Sequence, residues 1–279
     1  MSLSLRDELR VVLSRDQVQL IRIGRQLTLR GMDCTVLEKS VFPCTDVTEP
    51  SWSNCIETLE SALSELSWQP ALAKVILSNQ FMHYAMVEVG HDLTNEAEEV
   101  AYAKHHFGRL FGTIAESWEI KLNQDYASVT QLGSAVDALF LNALRDLFSR
   151  VHVKLKSVQP YLMAAFNNCA GQLHGQDVWF VLHDRGILCV GLVQNGRWRS
   201  VRSMKVAGDW VDKLAELIER ETFLSELDVI TKEIYIWSPE NWKSNLPQSG
   251  SWKMHKLQPV IRPGFANEYD DKFAIAMCG

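Results

Sequence analysis

The chain has no C-x-x-C pair, no run of Lys and Arg, and no apolar run approaching the ~20 residues a membrane helix needs. Its start, MSLSLRDELR, has no basic segment followed by an apolar core, so it does not read as a signal peptide. Scattered cations and a formal net charge of −6 speak against the clustered basic footprint of nucleic-acid binding. The six cysteines are Cys34, Cys44, Cys55, Cys169, Cys189 and Cys278. An even count permits disulfides, but in a long chain without a secretory signal these read as reduced, mostly buried thiols of a cytosolic protein. No G-x-x-x-x-G-K-[ST], G-x-G-x-x-G or G-x-S-x-G occurs, nor a local Cys-His signature. What is present suits a folded protein: 279 residues with 47% hydrophobic and 22% charged are enough for one large or two smaller domains.

Along the chain, Leu9 to Leu13 reads as a short apolar strand and Ser14-Arg15-Asp16-Gln17 as a polar turn. Val18 to Ile23 (V-Q-L-I-R-I) alternates as a half-buried strand should, and a third strand is expected between Leu27 and Phe42. From Ser51 to Leu66, Trp52, Cys55, Ile56, Leu59, Ala62, Leu63 and Leu66 recur at helical spacing. Strands are expected at Ala73 to Leu77 and Phe81 to Val89. A helix over Leu93 to Phe111 has Leu93, Ala97, Val100, Phe107 and Phe111 on one face and Gly112 at the C-terminal cap. Ser117 to Leu122 and Tyr126 to Leu132 read as strands. Gly133-Ser134 is expected to cap a helix striped by Val136, Leu139, Phe140, Ala143, Leu144 and Leu147. A strand over Val151 to Leu155 and a helix from Pro160 to about Ala170 follow.

The second half starts over. Val178 to Leu182 and Ile187 to Val193 read as strands joined by His183-Asp184-Arg185-Gly186, and Asn195-Gly196 is a strong type I′ signal before a third strand, Trp198 to Val206. A helix from Asp209 to about Phe223 turns Trp210, Val211, Leu214, Leu217 and Ile218 inward. Glu233 to Trp237 and Trp252 to Leu257 read as strands, and Tyr269 to Met277 as a closing helix. Both halves thus give three antiparallel strands, a helix, then strands alternating with helices, and their opening hairpins read alike, VVLSRDQV against FVLHDRGI. The expected fold class is α/β, built from two related lobes.

Lobes duplicated in this order resemble the actin-like ATPase superfamily, with its ribonuclease H-like halves. The stretch from Lys74 to Phe166, through KVILSNQFMHYAMVEV, DLTNEAEEVAYAKHHFGRLFG, SAVDALFLNALRDLF and VHVKLKSVQPYLMAAF, resembles PilM of type IV pilus machines and the cytoplasmic part of GspL of type II secretion. Where GspL proteins carry Pro-Trp after the strand, this chain has Glu88-Val89-Gly90. The resemblance implies a first lobe over 1–158 with a small α+β subdomain inserted at about 80–124, and a second lobe over 159–279. With the chain stopping at Gly279, a stand-alone PilM-like protein and a piece of a longer chain both fit.

Active members of the superfamily place Asp-x-Gly in the first hairpin of each lobe. Here the first hairpin has no glycine, and Arg15 and Gln17 would crowd its turn. The second has Asp184-Arg185-Gly186, residues that are also ordinary in a β-turn, followed by Ile187 where a small residue is needed. His105 and His106 point about 100° apart on a helix and cannot chelate one ion well, and His83 and His91 add no ligand spacing. Glu96, Glu98 and Glu99 suit the positive end of a helix. Most of the nine tryptophans, Trp52 and Trp210 among them, read as core, while Trp237, Trp242 and Trp252 lie near loop ends.

The expectation is a cytoplasmic, non-catalytic scaffold of a pilus or secretion platform, with no cofactor, no metal, no nucleic acid and no direct membrane insertion. Its implied partners are the cytoplasmic tail of a bitopic inner-membrane protein, which would hold it peripherally at that membrane, and an assembly ATPase. Partner binding is expected at the insert, on Phe81, His83 and Tyr84 first and on Phe107 and Phe111, although Phe81, Phe107 and Phe111 also read as filling the insert's own small core, the favoured reading for Phe107 and Phe111. The alternative is an active actin-like ATPase or sugar-kinase-like phosphotransferase, for which Asp184 and Gly186 are the cofactor-binding candidates.

Overall fold

The computed structural model describes residues 3–28, 31–44, 50–89, 95–123, 129–224, 231–238, 246, 250–261, 264–265 and 269–278. In chain order its elements are β1 (Leu3–Leu13), β2 (Gln17–Thr28), β3 (Gly31–Pro43), α1 (Ser53–Ser64), β4 (Leu72–Leu77), β5 (His83–Glu88), α2 (Glu96–Phe111), β6 (Trp118–Leu122), β7 (Thr130–Asp137), α3 (Ala138–Arg150), β8 (Lys154–Pro160) and α4 (Tyr161–Leu173). There follow β9 (Val178–Asp184), β10 (Ile187–Gln194), β11 (Arg197–Lys205), α5 (Leu214–Leu224), β12 (Glu233–Trp237), β13 (Lys253–Lys256) and α6 (Ala274–Met277).

The chain divides into two compact units. One comprises Met1–Phe81, Asp137–Asn168 and Pro259–Gly279, the other Met82–Val136 and Cys169–Gln258. The first holds a five-stranded sheet in the order β3-β2-β1-β4-β8, with β1, β2 and β3 antiparallel and β1, β4 and β8 parallel. The second holds a sheet of the same design, β11-β10-β9-β12-β13. A second, three-stranded sheet in that unit is ordered β5-β7-β6. The expected insert at about 80–124 covers β5, α2 and β6, and their third strand, β7, lies C-terminal to it.

The central strands β1 and β9 bury side chains on both faces. In β1, Leu9, Val11 and Leu13 are buried and Val12 nearly so; in β9, every residue from Val178 to Leu182 is buried. Helices α1 and α3 cover one face of the first sheet with Leu59, Leu63, Phe140 and Leu144. In the second unit Trp179, Leu188, Trp210, Ile218, Ile234 and Trp252 form one core cluster. The smaller sheet packs Val87, Phe107, Trp118, Ile120 and Ala135 together, and β5 lies against β11.

Several expectations shift. Gly133 and Ser134 do not cap a helix but lie within β7, and α3 starts at Ala138 with the Asp137 carboxylate accepting from the Leu139 N–H at 2.8 Å. Phe81 sits in a 3₁₀ turn, Asn79–Phe81, ahead of β5. Helix α5 starts only at Leu214, because Trp210, Asp212 and Leu214 bond back three residues in turn geometry. The closing helix is a 3₁₀ turn, Asp271–Phe273, leading into α6. Trp237 and Trp252 stand at strand ends and are core residues, as core packing of the tryptophans led one to expect. Gly90, His91, Leu93, Tyr126 and Trp242 lie outside the described residues.

Candidate functional site

In open α/β sheets, ligands bind beyond the carboxyl ends of the parallel strands. In the first unit this is where β1 turns into β2 and β4 gives way to Ser78-Asn79-Gln80. The turn closes on two central residues, Arg15 and Asp16, with the Ser14 N–H donating to Gln17 O at 3.1 Å and the Ser14 hydroxyl donating to the same oxygen at 2.9 Å. The Arg15 N–H donates to Gln80 Oε1 at 2.9 Å, and the Arg15 guanidinium donates to Gln80 O at 3.2 Å. At the start of α4, the Leu162 N–H donates to Asn79 Oδ1 at 3.3 Å. An anion would be gripped by backbone N–H groups of a turn and of a helix N-terminus. Here donors of both kinds are engaged by two consecutive side-chain amides of the same chain. Ser78 fixes those amides: its N–H donates to Leu13 O at 2.8 Å, and its hydroxyl oxygen accepts from the Gln80 N–H at 3.2 Å.

The corresponding turn of the second unit is a two-residue hairpin. Asp184 pairs with Ile187, and Arg185 and Gly186 between them both have positive φ, 47° and 77°. Asn195-Gly196 repeats this conformation at 52° and 75°. Both are type I′ geometries, matched to strand twist. Asp184 is buried, and His183 stacks on Trp210 with ring centroids 5.0 Å apart. Burial pushes the neighbouring Cys189 thiol up to about 12, with the Asp184 charge adding to it.

The expected partner residues separate. His83, Phe107 and Phe111 come together around a residue that sequence reasoning missed, Trp118. The His83 ring lies flat on the Trp118 indole at 3.9 Å with an interplanar angle of 7°. Phe111 meets His83 at 5.6 Å, Trp118 at 5.3 Å and Phe107 at 5.6 Å. Phe107 and Trp118 are buried, whereas Phe111 is 36% exposed and His83 half-buried. Phe81 belongs to the other unit, where it packs on Phe140 at 4.9 Å, and Tyr84 is buried. The signal for Trp118 was the W-E-I-K-L alternation of β6, which puts Trp118, Ile120 and Leu122 on one buried face.

His105 is exposed and His106 half-buried on α2, and among the described residues no three His, Cys, Asp or Glu side chains gather as a metal site would require. Nor is any described helix long and apolar enough to cross a membrane.

No family model and no curated protein matches the chain. Solved structures do. The cytoplasmic domain of EpsL, an inner membrane component of the type II secretion system of Vibrio cholerae, aligns over 91% of this chain and 91% of its own, with a TM-score of 0.55 at 12% identity. The PilM–PilN type IV pilus biogenesis complex aligns over 82% of this chain and 80% of that one, with a TM-score of 0.58 at 10% identity. A protein of Bacteroides thetaiotaomicron with an actin-like ATPase fold aligns over 83% and 81%, with a TM-score of 0.54 at 9% identity. The chain has the actin-like fold that these structures share.

Proposed function

We propose that this chain is a non-catalytic scaffold of a type IV pilus or type II secretion-like assembly platform. It works at the cytoplasmic face of the inner membrane and is recruited there by the cytoplasmic segment of a bitopic partner. The observation that carries the reading is the pair Asn79-Gln80, whose amides engage the turn and helix donors that nucleotide chemistry would need. The likeness of fold to an EpsL cytoplasmic domain and to a PilM–PilN complex supports the platform role.

The partner's segment docks on the insert, where His83 and Phe111 give an aromatic rim over the buried Phe107 and Trp118. A preformed, rigid rim suits a short segment, because few contacts must offset the entropy of ordering it. The test is a pull-down of the cytoplasmic segments of inner-membrane proteins encoded beside this chain. Wild type retains one of them, and a His83→Ala, Phe111→Ala variant that keeps its circular dichroism spectrum does not. If wild type retains none, the scaffold reading falls; if the folded variant binds as well as wild type, the docking place falls.

A further inference from the structure

Four cations of the first sheet stand around one carboxylate. Glu8 meets Arg10 Nε at 2.9 Å, Lys74 Nζ at 3.1 Å and Arg25 Nη1 at 3.9 Å. Register puts all of them on one face of the sheet, since Arg10 pairs with Lys74, and Glu8 with Ile23, two residues before Arg25. The fourth cation comes from a bulge. In β8, Leu155 pairs with Ala73 and Ser157 with Lys74, so Lys156 is the extra residue beside Lys74. The cluster lies at the amino ends of the parallel strands, where β4 begins at Leu72 and β8 at Lys154. It is therefore at the opposite end of the sheet from the turn at Arg15 and Asp16.

One carboxylate does not satisfy this set. Arg10 is spent on Glu8 and on the carbonyls of Ala276 and Cys278. Arg25 is not spent. Its side chain is 17% exposed, its Nε is buried without a hydrogen-bond partner, and 3.9 Å to Glu8 is beyond hydrogen-bond reach. Among the described residues Lys74, 29% exposed, has an ion pair with Glu8 alone, and the exposed Lys156 has none. Burial pushes the Lys74 ammonium below its ordinary range, the Arg10 and Lys156 charges push the same way, and Glu8 does not restore it. A buried donor without an acceptor is costly, and an anion from solution supplies one.

We propose that Arg25, Lys74 and Lys156 form a binding site for a small phosphate-class oxyanion at the amino end of the first sheet. The Arg25 fork suits two oxygens of such an ion, and the Lys74 and Lys156 ammonium groups act on the others as point charges. With Arg25 17% exposed the site is a recess, open to a small ion and closed to Mg²⁺-bound ATP or the flat face of a bilayer. The inference asks nothing of the scaffold reading and stands or falls apart from it.

The test is isothermal titration calorimetry of the full chain with inorganic phosphate at constant ionic strength, because salt screens exposed charges. Wild type takes up one phosphate per chain, saturably, and binds acetate at least about ten-fold more weakly, since a single carboxylate reaches fewer of the donors. Arg25→Gln and Lys156→Glu each lose at least about ten-fold in phosphate affinity and keep the circular dichroism spectrum of wild type. The second of these changes an exposed side chain, so its folding is secure. Co-sedimentation with vesicles separates free phosphate from a lipid headgroup: neither phosphatidylglycerol nor phosphatidylcholine vesicles carry the chain down. An absence of saturable heat in wild type overturns the inference, as does unchanged phosphate affinity in either folded variant or acetate binding as tight as phosphate binding. Sedimentation with phosphatidylglycerol vesicles that Lys156→Glu abolishes overturns it too, and gives these cations to a membrane surface instead.

Discussion

Glu8 gathers three cations beneath the C-terminal segment. Its carboxylate meets Arg10 Nε at 2.9 Å, Lys74 Nζ at 3.1 Å and Arg25 Nη1 at 3.9 Å, and both Glu8 and Arg10 are buried. Arg10 in turn donates from Nη1 to Ala276 O at 2.8 Å and to Cys278 O at 3.1 Å. Burial pushes the Glu8 carboxyl up, but Arg10 and Lys74 more than reverse this and hold it below the usual carboxylate range. The unfolded chain therefore takes up this proton more readily than the folded one. The stabilisation is fully present above the unfolded pKa and is lost as pH falls through the lower folded value. Glu8→Gln is expected to cost about 2–3 kcal/mol at neutral pH, since it leaves buried cations without their counter-charge. Urea unfolding from pH 7 to pH 3 should show the two proteins converging in acid; a constant gap would exclude this account. None of it was legible in the sequence. Alternation sends the Glu8 and Arg10 side of β1 toward water, and the groups that cover it lie more than 260 residues away.

Elements with local chemistry were the readable ones. Helix α2 ends at Gly112, whose φ of 78° suits glycine, as its sequence announced, while its start, expected at Leu93, falls at Asn95, whose side chain accepts from the Glu98 N–H at 3.0 Å. Asn195-Gly196 announced its hairpin for the same reason. Gly133 misled because glycine marks close approach as well as capping. A Cβ on Gly133 would stand 2.8 Å from Phe107 Cε2 and 3.2 Å from Val87 Cγ2. The glycine is a seat for the Phe107 ring, a contact between residues that a local pattern cannot pair. Gly133→Ala should destabilise the three-stranded sheet and its helix by about 1–3 kcal/mol, because the ring must move within a packed core. The check is amide hydrogen exchange. Protection should fall in β5, α2 and β7 with no change in α3, and unaltered protection in β7 would contradict the contact. The same limit hid the aromatic cluster: the sequence placed Phe107 and Phe111 on one helix face, but only folding stacks Trp118 on His83.

Two sheets of identical strand order are what the repeated hairpins foretold, and duplication also permits a comparison of the two places where phosphate would bind. The first turn has no glycine, and its Arg15 N–H is already bonded to Gln80. The second is a two-residue type I′ turn, with only Arg185 and Gly186 between the paired Asp184 and Ile187. Phosphate oxygens need several convergent N–H groups at close range, which a longer glycine-rich turn supplies and a tight hairpin does not. A ligand with a Kd of about 10 μM, present at about 1 mM, would stabilise the folded chain by about 2.7 kcal/mol and raise its Tm by several degrees. With Mg²⁺ and ATP at about 1 mM each, the expected thermal shift is none, in wild type and in Asp184→Ala alike. A shift in wild type that Asp184→Ala removes would show that the second turn grips nucleotide despite its length, and the phosphotransferase reading would then displace the scaffold. With no shift, the scaffold reading stands, and the Arg15 and Leu162 N–H groups remain bonded to the side-chain amides of Gln80 and Asn79.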